Sequence, residues 1–337
     1  MSENNQKIKF DPNKPLQVGG QAVIEGVMMR APGKIATAVR RTNGDIIVRE
    51  RDFKSLSERY KIFRLPILRG AVGLIEMMFV GIETLNFSAE VAMHDLELKE
   101  RKNGQDLTNK KPISNFRLAL TVIFALILGI AIFFITPLIV TTKFFNVEQN
   151  AYWFNIIAGG IRLSILLVYL IGISMMKDVK RLFEYHGGEH KAVMSFESSK
   201  QLTLEAAITS TRFHPRCGTS FILIVALVSV ILFSVLDVLM ILWIGKLTLF
   251  IRLATHLPLI PLVGGFAYEF IRWSSKKTNT LIGKILVAPG LWMQRITTKE
   301  PDASQVEIAL IALRCALGIE ENKPVKYIQN VSELIKN

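Results

Sequence analysis

The stretch Thr219–Ile244, TSFILIVALVSVILFSVLDVLMILWI, carries a single charge, Asp237. It is longer than the roughly 20 apolar residues that a helix needs to cross a bilayer. Three more runs of the same kind lie at about 116–142, 151–176 and 247–272. Only Gly245-Lys246 separates the last two, so residues 218–272 read as a transmembrane hairpin with a very short turn. Half of the 337 residues are hydrophobic, too large a share for an ordinary soluble chain. The expected fold class is therefore an α-helical polytopic membrane protein of about four transmembrane helices.

Charge gives the orientation. Lys99, Arg101, Lys102, Lys110, Lys111 and Arg117 precede the first span, and Lys177, Lys180, Arg181, Lys191, Lys200, Arg212 and Arg216 crowd the segment between the second and third. The other two connections contribute Lys143 and Lys246. The positive-inside rule then places both termini and the central polar segment in the cytoplasm, as for a multi-pass protein of the bacterial inner membrane. The same rule accounts for the net charge of +13, and no nucleic-acid recognition motif is present. The expected partners are the lipid bilayer and, at most, another membrane protein.

Residues 1–18 read as a disordered lead without the apolar core of a signal peptide. Residues 19–65 read as a small antiparallel β unit, with runs Gln21–Arg30, Lys34–Arg40 and Asp45–Glu50. Ala31-Pro32-Gly33 and Asn43-Gly44 are the turns, the second suited to type I′. Residues 66–98 form a long amphipathic or interfacial helix, because Arg69, Glu76, Glu83, Glu90 and Glu97 recur every seventh residue and fall on one narrow stripe. Residues 99–176 comprise a charged linker, with breakers at Asn103-Gly104, Asn109 and Pro112, and the first two spans. Residues 273–337 read as a cytoplasmic helical tail. In it Asp302 and Gln305 have capping-box spacing and Gly318 is a stop. Ala288–Arg295 has the composition of an interfacial anchor.

Charges inside the spans, Arg162, Asp237, Arg252 and His256, are costly and call for partners. Asp237 and Arg252 fall toward one side of the last hairpin and are expected to pair.

The chemistry concentrates in the polar segment 177–217, which holds three of the five histidines and one of the two cysteines. Tyr185-His186-Gly187-Gly188-Glu189-His190-Lys191 contains H-x-x-E-H, the inverted zinc-protease pattern. On a helix the two rings project from one face. Gly187-Gly188 weakens that helix by about 1 kcal/mol per glycine, so a loop or helix end is an alternative. His214 and Cys217 follow in Arg212–Thr219. The candidate ligands of a divalent metal, expected to be zinc, are thus His186, His190, His214 and Cys217, with Glu189 as the candidate catalytic base. Three protein ligands would leave a position for water, whereas four would make the site structural. Lys191, Arg212 and Arg216 bracket it, either as anion-binding groups or as ordinary cytoplasmic flanks.

The blocks Gly19–Arg30, Tyr185–Lys191, His214–Phe221, Ala288–Arg295 and Thr297–Pro301 together resemble an uncharacterised bacterial membrane family, a domain of unknown function labelled a predicted metal-dependent enzyme. The resemblance implies a metal-dependent activity and names no substrate. Two functions are therefore expected: a metal-dependent hydrolase at the membrane surface or, alternatively, a non-catalytic scaffold or assembly factor with a structural metal or none. A transporter reading would need Arg162, Asp237, Arg252 and His256 to line a midplane path, and neither inverted repeats nor broken helices are evident.

Overall fold

The computed structural model describes residues 18–102, 115–199, 201–275, 277, 280–319, 321 and 324–334. The expected lead and most of the 99–115 linker with its breakers lie outside the described residues. Nine helices matter for the argument among those described. They are α1 (Leu68–Lys102), α2 (115–145), α3 (Ala151–Ser174), α4 (Lys177–Ser199), α5 (Leu204–Thr209), α6 (Gly218–Ile244), α7 (249–275), α8 (Leu281–Thr297) and α9 (Ala303–Ala316). Helix α2 contains a π turn at Ala131–Ile135, and α7 a 3₁₀ turn at Leu257–Leu259, where Pro258 interrupts the ladder.

The N-terminal sheet has five strands among the described residues: β1 (Gly19–Val23), β2 (Gly26–Ala31), β3 (Gly33–Arg40), β4 (Ile46–Phe53) and β5 (Val325–Tyr327). The first four form an antiparallel meander, and β5, from the tail, pairs parallel to β4. Two expectations are corrected. The run Gln21–Arg30 is two strands folded about Glu25, whose φ of 53° puts a non-glycine residue in the left-handed region. Tertiary contacts hold it there, with Arg181 pairing with its carboxylate and Tyr185 Oη donating to it at 3.2 Å. The Asn43-Gly44 turn is not type I′, since of its residues only Gly44 has positive φ, at 92°. Gly44 N–H donates to Arg41 O at 3.0 Å and Arg41 N–H to Asp45 O at 2.9 Å. This is the three-residue hairpin in which a type I turn ends on a left-handed glycine.

Strand periodicity dresses both faces of the sheet. Val27, Met29, Ala36, Ala38 and Val48 pack with α9 and α4, while Val23, Met28, Ile35, Val39 and Ile47 pack with Val80, Phe87 and Val91 of α1. Helix α9 is buried almost all round, as a helix inside a core must be. Its ends follow the expected signals. Asp302 and Gln305 complete a capping box, and the N–H groups of Gly318 and Ile319 return to Cys315 O and Arg314 O in a Schellman closure. Asp302→Ala is expected to lower stability by about 1 kcal/mol, read as a small drop in unfolding midpoint.

The stripe on α1 docks this unit. Glu76 accepts from Ser55 Oγ and Leu56 N–H, both at 2.5 Å, and Glu83 pairs with Arg49 at 3.0 Å and with Arg51. Arg69 binds Glu269 of α7 through both of that carboxylate's oxygens, at 2.6 and 2.5 Å.

Among the described residues four helical stretches are long and apolar enough to cross a membrane: Leu120–Phe145, Ala151–Ser174, Gly218–Ile244 and Leu249–Ser275. Asp237 and Arg252 do pair, at 2.9 Å, and His256 Nε2 lies 3.0 Å from the other Asp237 oxygen.

Candidate metal centre

Within 177–217, His186 and His190 lie on helix, because α4 continues through Gly187-Gly188 without a break, while His214 and Cys217 lie in the non-helical stretch 210–217. Packing explains the glycines. A Cβ on Gly187 would overlap the carbonyl oxygen of Lys299, and one on Gly188 would press on Gln305 O at 3.3 Å. The strap after α8 crosses α4 there, with Lys299 N–H donating to Phe183 O at 2.9 Å. Gly187→Ala, which would stabilise an ordinary helix by about 1 kcal/mol, is therefore expected to destabilise this protein by about 1–3 kcal/mol through overpacking. A melting temperature at or above wild type would show that the strap yields.

With α4 helical, the rings of His186 and His190 meet edge to face, with centroids 4.4 Å apart. Cys217, the residue that caps the N-terminus of α6, brings its Sγ to 3.3 Å from His186 Nε2. Potential ligand atoms of His186, His190 and Cys217 all lie within 4.8 Å of one another. The other ring nitrogens are already engaged. His186 Nδ1 lies 2.8 Å from Thr297 O and His190 Nδ1 2.6 Å from Arg212 O. A carbonyl only accepts, so both Nδ1 atoms carry the proton and each Nε2 presents its lone pair within the cluster, that of His186 toward the Cys217 thiol. Metal-binding histidines are held in this way. The α6 N-terminus adds partial positive charge beside the sulfur, suiting an anionic ligand atom. Two imidazoles and a thiolate are the donor types that a zinc-type ion takes, here in a cluster looser than a closed tetrahedral shell.

His214 sits differently. Its ring centroid is 5.7 Å from that of His190, its Nε2 is 3.2 Å from Glu197, and its Nδ1 accepts from Arg216 N–H at 3.3 Å. Burial opposes ionisation of Glu197, but the His214 hydrogen bond and the Arg216 charge outweigh it and hold this carboxyl below the usual range. Gln294, fully buried, clamps the His214 backbone from both sides, accepting from its N–H at 2.8 Å and donating to its carbonyl at 2.7 Å.

Glu189 is buried against β1, with its carboxylate 3.5 Å from His190 Nε2. Burial pushes its carboxyl above the ordinary range, against the His186 and His214 imidazoles and the N–H of Gly20. Burial likewise lowers the basicity of His190, and contact with Cys217 opposes this. Of the three clustered residues His186 alone is partly exposed, so solvent reaches the site from its side.

The flanking cations have partners. Lys191 pairs with Glu300 at 2.7 Å, Arg212 with the same carboxylate at 3.4 Å, and Arg216 with Glu197. The roles of Arg212 O and Thr297 O carry no sequence signal, since any residue supplies a carbonyl. Gln294 falls in Ala288–Arg295, whose composition suggests an interfacial anchor and gives no sign of its clamp on His214.

"Uncharacterized protein YqhQ" of Bacillus subtilis (strain 168) is 32% identical over 318 residues, covering 91% of this chain and 94% of that protein. No solved structure matches. Residues 65–319, which include all of α1 to α9, match the family model described as "Protein of unknown function (DUF1385)". On both the extent of that match and the full-length relative, the chain belongs to the DUF1385 family.

Proposed function

We propose that the protein is a multi-pass protein of the bacterial cytoplasmic membrane, with both termini and the histidine cluster on the cytoplasmic side. It would be a metal-dependent hydrolase acting on an ester or amide at the membrane surface. Membrane insertion is supported by the apolar side chains that the four long helices leave exposed, Phe124, Ile127, Val168, Leu242 and Trp243 among them. Orientation is supported by the basic flanks. Lys246→Cys is expected to react with an impermeant maleimide on intact cells, and Ser57→Cys only after lysis. The reverse pattern would invert the topology.

The observation that carries the catalytic reading is the division of labour among the nitrogens. Two backbone carbonyls aim the Nε2 atoms of His186 and His190 at Cys217 Sγ, while both ring nitrogens of His214 are committed elsewhere. Three donors leave a tetrahedral ion one position short. A divalent ion there would supply a water acidified toward neutrality and an electrophile for a carbonyl oxygen. Glu189, buried beside His190, is placed to take a proton from such a water and return it to the leaving group. The His190–Arg212 and His186–Thr297 contacts would hold both rings through that exchange.

X-ray absorption on the purified, zinc-loaded full chain tests this. Two nitrogens, one sulfur and one further light atom in the wild type, unchanged in His214→Ala, support an open shell. A four-residue protein shell that loses a nitrogen in His214→Ala would make the metal structural and favour the scaffold. Glu189→Gln should retain metal and abolish turnover of any ester or amide found to be a substrate.

A further inference from the structure

Two buried arginines, Arg162 and Arg252, lie within the four long helices, and they are partnered differently. Arg252 meets Asp237 at 2.9 Å and donates to Glu148 O at 2.6 Å. Arg162, also buried, has no carboxylate partner among the described residues. Its Nε donates to Phe133 O at 3.0 Å, a carbonyl within the π turn of α2, and Nη1 donates to Ser229 Oγ at 2.8 Å. The guanidinium lies over the Phe134 ring, 4.8 Å from its centroid. No hydrogen bond to Nη2 is present among the described residues. Arg162 is also one wall of a cavity of about 430 Å³ between α2, α3, α6 and α7, otherwise lined almost wholly by apolar side chains such as Leu126, Leu166 and Val225. That volume is within the usual range for small-molecule sites. Arg162 lies eleven residues into α3, roughly 16 Å along it, near the middle of a hydrocarbon layer of about 30 Å. Charged side chains at that depth almost always have a counter-charge.

We propose that this cavity is a binding site for the carboxylate of a single-chain fatty acid, with Arg162 as its counter-ion. A monoanion balances one guanidinium. A carboxylate can accept from the Nη2 N–H groups, which Phe133 and Ser229 leave unused. The scarcity of polar lining excludes a glycerophospholipid headgroup, whose further polar atoms would be buried without partners. The chain lies along the apolar wall toward Ala125 and Gly129. This inference rests on the reading that the helices span a bilayer, and not on the metal.

The test is native mass spectrometry of the full chain purified in detergent and titrated with oleate, oleyl alcohol, laurate or monododecyl phosphate. One saturable oleate per chain is expected, with binding of oleyl alcohol weaker by tenfold or more and laurate preferred over monododecyl phosphate. Arg162→Gln should lose oleate binding by at least tenfold. Because Arg162 also ties down the π turn, Gly129→Phe provides a second variant. Open space faces the Cβ position at Gly129, so the new ring should fill the cavity and block oleate while leaving Arg162 in place. Equal binding of the alcohol, tighter binding of the phosphate, or undiminished oleate binding by a folded Arg162→Gln or Gly129→Phe would overturn the proposal. Failure of the metal test would leave these outcomes unaffected.

Discussion

Protein purified with His190→Ala is expected to hold only a trace of the zinc bound by wild type under the same dialysis, and Cys217→Ala and His186→Ala should behave alike. The apparent binding free energy of a structural zinc, about 10–16 kcal/mol, is shared over three or four donors. Removing one donor therefore costs about 3–4 kcal/mol, on the order of 10²–10³-fold in affinity. The equivalence of the three follows from their geometry, since each supplies one atom to a triangle whose members are within 4.8 Å. His214→Ala separates this site from the rival built on four protein ligands. With Nε2 on Glu197 and Nδ1 on Arg216 N–H, the His214 ring should be dispensable for stoichiometry. Its loss loosens the Arg212–Cys217 segment, so a fall of about 10–100-fold in affinity, as for other supporting groups around a metal, is the expected limit. Elemental analysis at saturating zinc reads one equivalent for wild type and for His214→Ala. Loss of the equivalent in His214→Ala, or retention of it in His190→Ala, would sink the three-donor arrangement.

What could be read in advance, and what could not, follows from the range of the interactions. The four apolar helices are legible because length and composition are local properties, and Thr219–Ile244 needs no partner to declare itself. The capping box at Asp302 and the glycine stop at Gly318 are equally local. Glu25 is not legible as the left-handed residue of its turn, since residue type would assign positive φ to the neighbouring Gly26 instead. Arg181 and Tyr185, far along the chain, hold it. Strand β5 is three residues long and finds its place by parallel pairing with β4, from the far end of the chain. In the histidine segment the spacing of His186 and His190 indicates a shared helix face, yet the glycines between them argue for a break. The break does not occur, because the cost of helical glycine is offset by close packing against Lys299 and Gln305, which the sequence places more than a hundred residues away. Backbone carbonyls at Arg212 and Thr297 fix the histidine tautomers, and a carbonyl leaves no trace in a residue's identity.

Asp237→Ala should be the most destabilising single substitution in the helical bundle. Its carboxylate accepts from Asn155 Nδ2 at 2.7 Å and Arg252 Nε at 2.9 Å, and lies 3.0 Å from His256 Nε2. All four side chains are buried, Asp237 and Arg252 to within 1% of full burial. Removing one partner of a buried ion pair costs about 3–5 kcal/mol, because the remaining charge stays in place without its counter-ion. Relief is limited here. Among the described residues Arg252 Nη1 and His256 Nδ1 already lack hydrogen-bond partners, and the guanidinium and imidazole are stacked on Phe154 and Phe233, which offer no acceptor to replace the carboxylate. Replacing both ions with apolar groups of similar volume, as in Asp237→Leu with Arg252→Met, should recover much of the loss, since the bare charge rather than the missing contact dominates. Thermal unfolding of the purified protein in detergent, run as a double-mutant cycle, measures this coupling. If the double variant is as unstable as the sum of the two single variants, the four groups are independent and the network has no cooperative role. If it lies closer to wild type than Asp237→Ala does, the quartet is a charge-balanced clasp joining α3, α6 and α7. Arg162, in the same bundle, has no carboxylate partner among the described residues, and it is the arginine to which we assign a ligand's counter-charge.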